Sequence, residues 1–365
     1  MIDSRSILRI DLNLLGTALI LAAIGCLAIY SATYFTSSTF YLQKQIIWIL
    51  ISIVLMAIAI ALDYRMLMDT SLILYGIGMA LLVYLLIWGQ VTANVQSWIH
   101  LGGGFQFQPS EFMKVFTALV LAKFFDANSR AYLDFRSFAI IAAIIGAPVV
   151  LIAIQPDFGT AATFVPLIAA AMFFGGIKPR YWVIALLILA IALPVGWNFF
   201  LKPYQQERLL IFLDPERDPL GSGYQVTQAK IAIGSGGITG KGFTEGTQAK
   251  LEFLPARHTD FIFAVLGEEW GFVGVVIVLG LYLFLIIQAL TIAKQSRDRG
   301  GSFLVICLIS FFIFHILINV AMQIGLLPTT GIPLPLISYG GSSTMMFFLA
   351  IGLILNVDFR KYANV

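Results

Sequence analysis

Runs of about twenty apolar residues recur along most of this 365-residue chain, and they restrict its fold more than any other feature. A helix rises 1.5 Å per residue, so roughly 20 apolar residues cross the hydrocarbon core of a bilayer. The chain is 59% hydrophobic and 11% charged, whereas a soluble domain is about 45–50% apolar and about 25% charged. The sequence therefore predicts an all-α polytopic membrane protein, with residues 1–365 forming a single integral membrane domain.

The apolar runs predict about ten transmembrane helices. They lie near 14–33, 45–62, 70–88, 110–125, 137–154, 158–176, 181–200, 261–290, 302–325 and 337–356. The run that follows Arg5 and Arg9 lacks a clear small-residue cleavage site, so we interpret it as the first helix and not as a signal peptide.

The Lys and Arg residues of the short loops are concentrated in alternate loops, with Lys44 as the exception. By the positive-inside rule, this bias predicts that both termini are cytoplasmic. The long segment 202–260, between predicted spans seven and eight, is then extracytoplasmic. Loops longer than about 15 residues are usually functional or disordered. This one is predicted to contain short helices; 206–213 is an apolar stretch suited to lying at the membrane interface, and 224–233 is compatible with a short amphipathic helix.

The net charge of +3 gives no indication of a nucleic-acid partner. Cys26 and Cys307 both lie inside apolar runs, so they predict neither a disulfide framework nor a metal site.

An acidic residue, Asp260, stands where the long polar segment meets a predicted span. One interpretation is a helix N-cap, because Asp is favoured there. The other is an acid/base or cation-binding site at the membrane boundary, which Arg257 and His258 beside it favour.

Two further sites place charge at span ends. Glu111 and Lys114 are three residues apart and can pair on one helix face, either as a structural ion pair or as part of a polar cavity. Asp157 follows Pro156, where it is predicted to cap the next helix, with a catalytic role as the alternative.

A polar stripe and a proline-rich run complete the candidates. His315, Asn319 and Gln323 are spaced by four and share one helix face. This pattern predicts interhelical hydrogen bonding, with proton relay as the alternative. The prolines and glycines of 328–343 indicate non-helical backbone, which is tolerated at membrane depth only inside protein or along a watery cavity.

Taken together, these motifs resemble the RodA/FtsW family of bacterial shape, elongation, division and sporulation proteins. The resemblance rests on three segments and covers essentially the whole chain: Gln108-Pro109-Ser110-Glu111, Gln155-Pro156-Asp157-Phe158-Gly159-Thr160, and Asn319 through Leu336-Ile337-Ser338-Tyr339-Gly340-Gly341-Ser342-Ser343. The segment Arg257-His258-Thr259-Asp260-Phe261-Ile262-Phe263 is more similar to RodA than to its division paralogue. Ser97 stands before Trp98 where many relatives carry Arg, so no substrate role of an arginine is carried over.

The resemblance implies a peptidoglycan glycosyltransferase in the bacterial cytoplasmic membrane. It would polymerise lipid II during cell elongation, with a class B penicillin-binding protein as partner. Asp260 matches the family's essential loop aspartate and would act as general base or as ligand of a divalent cation, Mg²⁺ or Mn²⁺. The substrate-binding candidates are Arg208, Lys241, Arg257, His258, Glu111, Lys114, Asp157 and Ser338. Arg208, Lys241, Arg257 and Lys114 are the cations considered for the leaving pyrophosphate.

Two other functions remain open at this point. A lipid II flippase or transporter would use the intramembrane charges as a path, although transporter sites are expected near the bilayer midplane. A non-catalytic scaffold would only activate the penicillin-binding protein.

Overall fold

The computed structural model describes residues 11–35, 39–92, 95–102, 105–128, 134–174, 203–214, 217–218, 221–251 and 253–361, together with positions 183, 187 and 190. The elements run in the order α1 (Leu12–Thr33), α2 (Phe40–Ala61), α3 (Tyr64–Asp69), α4 (Ser71–Trp88), β1 (Gln90–Thr92), β2 (Val95–Gly102), β3 (Phe105–Phe107), α5 (Pro109–Ala127), α6 (Phe135–Ile154), α7 (Phe158–Ala162), α8 (Val165–Phe174), α9 (Pro203–Leu213), α10 (Ser222–Ser235), α11 (Thr247–Lys250), α12 (Ile262–Gln295), α13 (Arg299–Gln323) and α14 (Gly341–Arg360).

Seven helices in the described part of the chain are long and apolar enough to cross a membrane: α1, α2, α4, α6, α12, α13 and α14. The protein is therefore a multi-pass helical membrane protein, as the sequence predicts. Each of the seven overlaps a predicted span. The predicted span at 158–176 is divided into the short helices α7 and α8. The one at 181–200 lies almost entirely outside the described residues, so the count of ten stays a prediction.

The centre of the bundle is formed by α13 and α14, the two most buried spans. Gly25 of α1 packs directly on the backbone of Leu336 and Ile337, because a Cβ built on Gly25 would lie 2.7 Å from the Leu336 carbonyl oxygen. Gly341 likewise allows Trp48 to pack directly on the backbone, because a Cβ on Gly341 would lie 2.2 Å from the indole. These close approaches fix the non-helical segment that precedes α14.

A small antiparallel sheet joins α4 to α5. Its strand order is β1-β2-β3. Trp48 of α2 contacts Phe105 edge-on, with ring centroids 5.2 Å apart, and Phe107 packs against Phe112 of α5. The aromatic contacts hold the sheet against one end of the bundle. Trp98 of β2 lines a cavity at that end.

The longest helix, α12, is interrupted at Gly271, where φ is 65° and ψ is −163°. Segment 236–242 fills the interruption. Lys241 and Gly242 donate their N–H groups to the carbonyls of Glu268 and Glu269, while Phe272 and Val273 donate to the carbonyls of Gly237 and Ile238. Exposed polar backbone is costly in hydrocarbon, and this exchange satisfies the groups that the kink releases.

We predict that Gly25→Ala destabilises the protein by about 1–3 kcal/mol, because the new methyl group would collide with backbone that has no flexible side chain to yield. Gly16→Ala in the same helix is the matched control, since no atom lies within 4 Å of its Cβ. That change is expected to be neutral or to stabilise by about 0.5–1 kcal/mol. Thermal unfolding in detergent measures both, and equal effects of the two substitutions would contradict the packing described.

Candidate functional site

A cavity of about 520 Å³, with a mostly apolar lining that includes several carboxyl groups, opens where the long segment meets the bundle. Three carboxyl-bearing residues line it, each from a different part of the fold: Asp260 precedes α12, Asp157 precedes α7, and Glu111 lies in the first turn of α5. The other lining residues that the argument uses are Trp98, Gln108, Leu209, Gly331, His315 and Tyr339. Residues of all three motifs on which the family resemblance rests therefore line the cavity.

Asp260 is held through its backbone. Its carbonyl accepts a hydrogen bond of 3.0 Å from Asn319 Nδ2, which also donates to the carbonyl of Ile332 at 2.8 Å. Phe261, and not Asp260, occupies the N-cap position of α12, so the N-cap interpretation of Asp260 is wrong. Gly331 lies opposite with φ 71°, and a Cβ there would be 3.7 Å from Asp260 Oδ2. The absence of a side chain at Gly331 keeps this side of the carboxylate open to the cavity.

The cavity wall 328–340 is the non-helical segment that the prolines and glycines predict. Ser338 Oγ donates to the carbonyl of Thr259 at 2.7 Å and accepts from the N–H of Leu334 at 2.9 Å. The N–H of Tyr339 donates to the carbonyl of His258. These bonds join the wall to the turn that carries Asp260. Ser338 is buried and is not among the residues that line the cavity, and its contact with substrate stays a prediction.

The floor of the cavity contains a buried ion pair. Lys114 Nζ lies 2.9 Å from Glu111 Oε1 and 3.2 Å from His315 Nε2. Lys114 is fully buried and is not among the lining residues, whereas Glu111 and His315 are. The predicted pairing of Glu111 with Lys114 is confirmed, but the geometry makes Glu111 the member of the pair that faces the cavity. Removing one partner of a buried ion pair destabilises a folded protein by about 3–5 kcal/mol.

Asp157 caps α7, as the sequence predicts, because its Oδ1 accepts from the N–H of Thr160 at 3.1 Å. The side-chain amide of Gln108 donates to Asp157 Oδ2 at 3.0 Å and to Thr160 Oγ1 at 3.2 Å. Gly159 then meets the opposite wall, since a Cβ on it would lie 2.4 Å from the carbonyl oxygen of Thr330. Asp157 is thus a cap and a cavity-lining acceptor at once.

Two predicted cations of the long segment lie elsewhere. Lys241 Nζ forms an ion pair with Glu268 Oε1 at 2.7 Å. Arg257 is buried, and its Nε donates to the carbonyl of Ala32 at 2.6 Å. Neither residue lines the cavity, because each is held by a partner distant in sequence. Arg208 lies on α9, and its side chain is outside the described residues; its neighbour Leu209 lines the cavity.

His258 is packed between aromatic rings and is not a cavity-lining residue. Its ring centroid is 4.3 Å from that of Tyr41 and 5.7 Å from that of Tyr339. Burial, with a smaller contribution from the charge of Arg257, lowers the pKa of His258 from 6.5 to about 4. The imidazole is therefore neutral near pH 7, and substrate binding by His258 stays a prediction.

Two adjacent acidic residues inside α12, Glu268 and Glu269, were not identified from the sequence. Glu268 is completely buried and accepts from Lys241 Nζ, from the N–H and hydroxyl of Thr247, and from the N–H of Gln248. Ser31 donates to Glu269 Oε1. Two adjacent carboxylates inside a predicted span were the available signal, because charges at such depth need partners.

The position that departs from the family pattern is also buried. Ser97 has no exposed surface, and its hydroxyl lies 3.4 Å from Gln155 Oε1. The side-chain amide of Gln155 in turn donates to the carbonyl of Leu82 at 2.9 Å. Position 97 therefore supports the base of the sheet, while Trp98 beside it faces the cavity.

Comparison with known proteins agrees with this architecture. The cell cycle protein family of FtsW, RodA and SpoVE matches residues 11–363. The chain is similar to the peptidoglycan glycosyltransferase MrdB of Escherichia coli K12, with 36% identity over 353 residues that cover 97% of this chain and 94% of MrdB. It is 34% identical to the peptidoglycan glycosyltransferase RodA of Treponema pallidum, covering 98% and 99% of the two chains.

Two solved structures share the fold. One is a chain from a peptidoglycan synthase complex described as coordinating polymerization and crosslinking, with a TM-score of 0.83, 31% identity, and coverage of 97% of this chain and 99% of that one. The other is the rod shape determining protein RodA of Thermus thermophilus, with a TM-score of 0.73, 27% identity, and coverage of 97% and 98%. The chain belongs to the FtsW/RodA/SpoVE family of cell cycle proteins.

Proposed function

We propose that this protein is a peptidoglycan glycosyltransferase that polymerises lipid II into glycan strands during cell elongation. The names of its relatives MrdB and RodA support the activity. The single observation that carries the proposal is the placement of Asp260, which lines a cavity with Asp157 and Glu111 at the junction between the long segment and the span α12. A lipid-linked sugar needs such a junction, because its anchor stays in hydrocarbon while its reacting groups need polar surroundings.

Asp260 acts in this proposal as the general base. The hydroxyl oxygen of the acceptor sugar forms a bond to the anomeric carbon of the donor, and the bond from that carbon to the pyrophosphate oxygen breaks. The hydroxyl proton passes to the Asp260 carboxylate, and the pyrophosphate leaves with the bonding electrons. A positioned base contributes about 10²–10⁴-fold to such a step. One in-line displacement inverts the anomeric configuration.

The leaving pyrophosphate needs positive charge or N–H donors. Lys241 and Arg257 are committed to other partners, and Lys114 is sealed beneath the floor. Arg208 remains the candidate of the long segment, because the adjacent Leu209 reaches the cavity.

Ligation of a divalent cation, Mg²⁺ or Mn²⁺, is the alternative role of Asp260. No group of three or more His, Cys, Asp or Glu side chains converges as a metal site within the described ranges. A cation at Asp260 would therefore take most of its oxygen ligands from pyrophosphate and water, as Mg²⁺ commonly does.

The distribution of Lys and Arg supports cytoplasmic termini, which would place segment 202–260 and the cavity on the extracytoplasmic side of the bacterial cytoplasmic membrane. Similarity to a chain of a peptidoglycan synthase complex supports a cross-linking partner, and the class B penicillin-binding proteins have that chemistry. A lipid II flippase and a non-catalytic scaffold are the competing outcomes of the experiment below.

We expect Asp260→Asn to reduce polymerisation of lipid II by at least about 10²-fold while leaving expression and thermal stability unchanged, because an amide cannot take the hydroxyl proton. Purified protein is assayed with lipid II, with and without the penicillin-binding partner, and glycan length is read on gels. Asp214→Asn is the matched control, since Asp214 is an exposed acid of the same segment that pairs with Arg217 on the surface.

Full activity of Asp260→Asn would remove this residue from the mechanism. Movement of labelled lipid II across vesicles by the wild-type protein, without polymer, would favour the flippase. Polymer that disappears only when the partner's own polymerising capacity is removed would favour the scaffold.

A neutral His258 predicts a specific pH response. With a pKa of about 4, only about 3% of His258 is protonated at pH 5.5, whereas an ordinary histidine of pKa 6.5 would be mostly charged there. The ratio of kcat/KM for wild type and His258→Gln should therefore stay constant from pH 7.5 down to pH 5.5. A ratio that rises through pH 6–7 as the pH is lowered would show that a cationic His258 contributes to binding.

A further inference from the structure

His315 makes two polar contacts at the floor of the cavity, and they lead to different parts of the fold. Its Nε2 lies 3.2 Å from the ammonium nitrogen of Lys114 on α5. Its Nδ1 lies 3.2 Å from the carbonyl oxygen of Pro333 in the cavity wall. The ring stands edge-on to Phe347, with centroids 5.0 Å apart, and is almost completely buried.

These contacts define one tautomer. A lysine ammonium has three N–H donors and no acceptor, so Nε2 must be the unprotonated nitrogen that accepts from Lys114. Nδ1 then carries the proton and donates it to the Pro333 carbonyl. A protonated imidazolium would instead direct an Nε2–H group at the Lys114 ammonium, and the two positive charges would repel each other. The geometry therefore specifies a neutral imidazole whose two nitrogens are both occupied.

We propose that His315 is a positioning residue for the glycosyl transfer, acting through Lys114 on Glu111. The inference rests on the proposed function and goes further, because it names a residue that sets the geometry of the cavity floor through its contact with Lys114. Its acceptor nitrogen holds the Lys114 ammonium at the point from which that ammonium also binds Glu111 Oε1 at 2.9 Å.

Glu111 is the group through which this effect reaches the substrate. One carboxylate oxygen is occupied by Lys114, and the other, Oε2, has no hydrogen-bond partner among the described residues although the side chain is only 5% exposed. An unsatisfied buried acceptor is costly, and Glu111 lines the cavity. Oε2 is buried at the cavity wall, so in this proposal the bound sugar brings the hydroxyl or amide donor that this oxygen lacks. The orientation of the Glu111 carboxylate depends on its bond to Lys114, and the position of the Lys114 ammonium depends on His315.

The alternative is a purely structural role, in which only the bond from Nδ1–H to Pro333 matters. Two conservative variants separate the contacts. The side-chain oxygen of Gln reaches the position of Nε2 and can accept from Lys114. The side-chain nitrogen of Asn reaches the position of Nδ1 and can donate to Pro333. His315→Phe removes both contacts and keeps the ring volume.

The experiment measures kcat and KM for polymerisation of lipid II by wild type, His315→Gln, His315→Asn and His315→Phe, with thermal unfolding of each. We expect His315→Gln to retain activity within about threefold. His315→Asn and His315→Phe should lose at least about tenfold, mainly in kcat, because losing a hydrogen bond to a charged group misplaces the floor beneath the substrate. If His315→Phe fails to fold, the comparison of Gln with Asn gives the answer alone.

Several results would overturn the inference. They are activity retained by Asn but lost by Gln, equal loss in Gln and Asn, and normal kcat in all three variants. A wild-type protein that makes no polymer, with or without its partner, would instead refute the proposed function. The two failures are therefore distinguishable, because only the second appears before any substitution is introduced.

Discussion

One carboxamide joins the two halves of the candidate site. Asn319 Nδ2 donates to the backbone of Asp260 and to the backbone of Ile332, and its Oδ1 accepts from Gln323 Nε2 at 2.6 Å. Gln323 in turn accepts from the N–H of Ala264 in the first turn of α12. Interrupted backbone at membrane depth requires such donors and acceptors from the protein. Because the donor is shared, the position of the acidic residue and the position of the cavity wall are set together.

The buried ion pair of Glu111 and Lys114 at the cavity floor carries a desolvation cost. Taking an ammonium and a carboxylate out of water is expensive, and a well-packed apolar pair of the same size is often as stable. Stability alone therefore does not account for Glu111 and Lys114. Among the described residues, one carboxylate oxygen of Glu111 has no hydrogen-bond partner beside the cavity, which is why the proposal gives this group a contact with substrate. His315 then supplies the second acceptor that a buried ammonium needs.

The sequence was sufficient for features that depend on local patterns. Long apolar runs predict spans because hydrocarbon thickness sets helix length, and the Asp157 cap depends on residues three apart. Asp260 could be placed because a polar segment ends there. The positions of Lys241 and Arg257 could not be deduced, since their partners, Glu268 and the carbonyl of Ala32, are brought to them only by tertiary packing. Arg257 and His258 are near Asp260 in sequence, but they are not among the residues that line the cavity.

The break at Gly271 is the place where part of the long segment is hydrogen-bonded into α12. Segment 236–242 replaces the helical hydrogen bonds that α12 loses, and Glu268 binds the same segment through Lys241, Thr247 and Gln248. A Cβ on Gly240 or Gly271 would collide with this backbone exchange, at 2.1 Å and 2.3 Å. The helix that follows Asp260 is thus fixed by the segment that precedes it. In the proposed mechanism, backbone that is held on both sides of Asp260 would leave the carboxylate little freedom to lose when a sugar hydroxyl binds, and pre-set geometry of this kind accelerates a transfer.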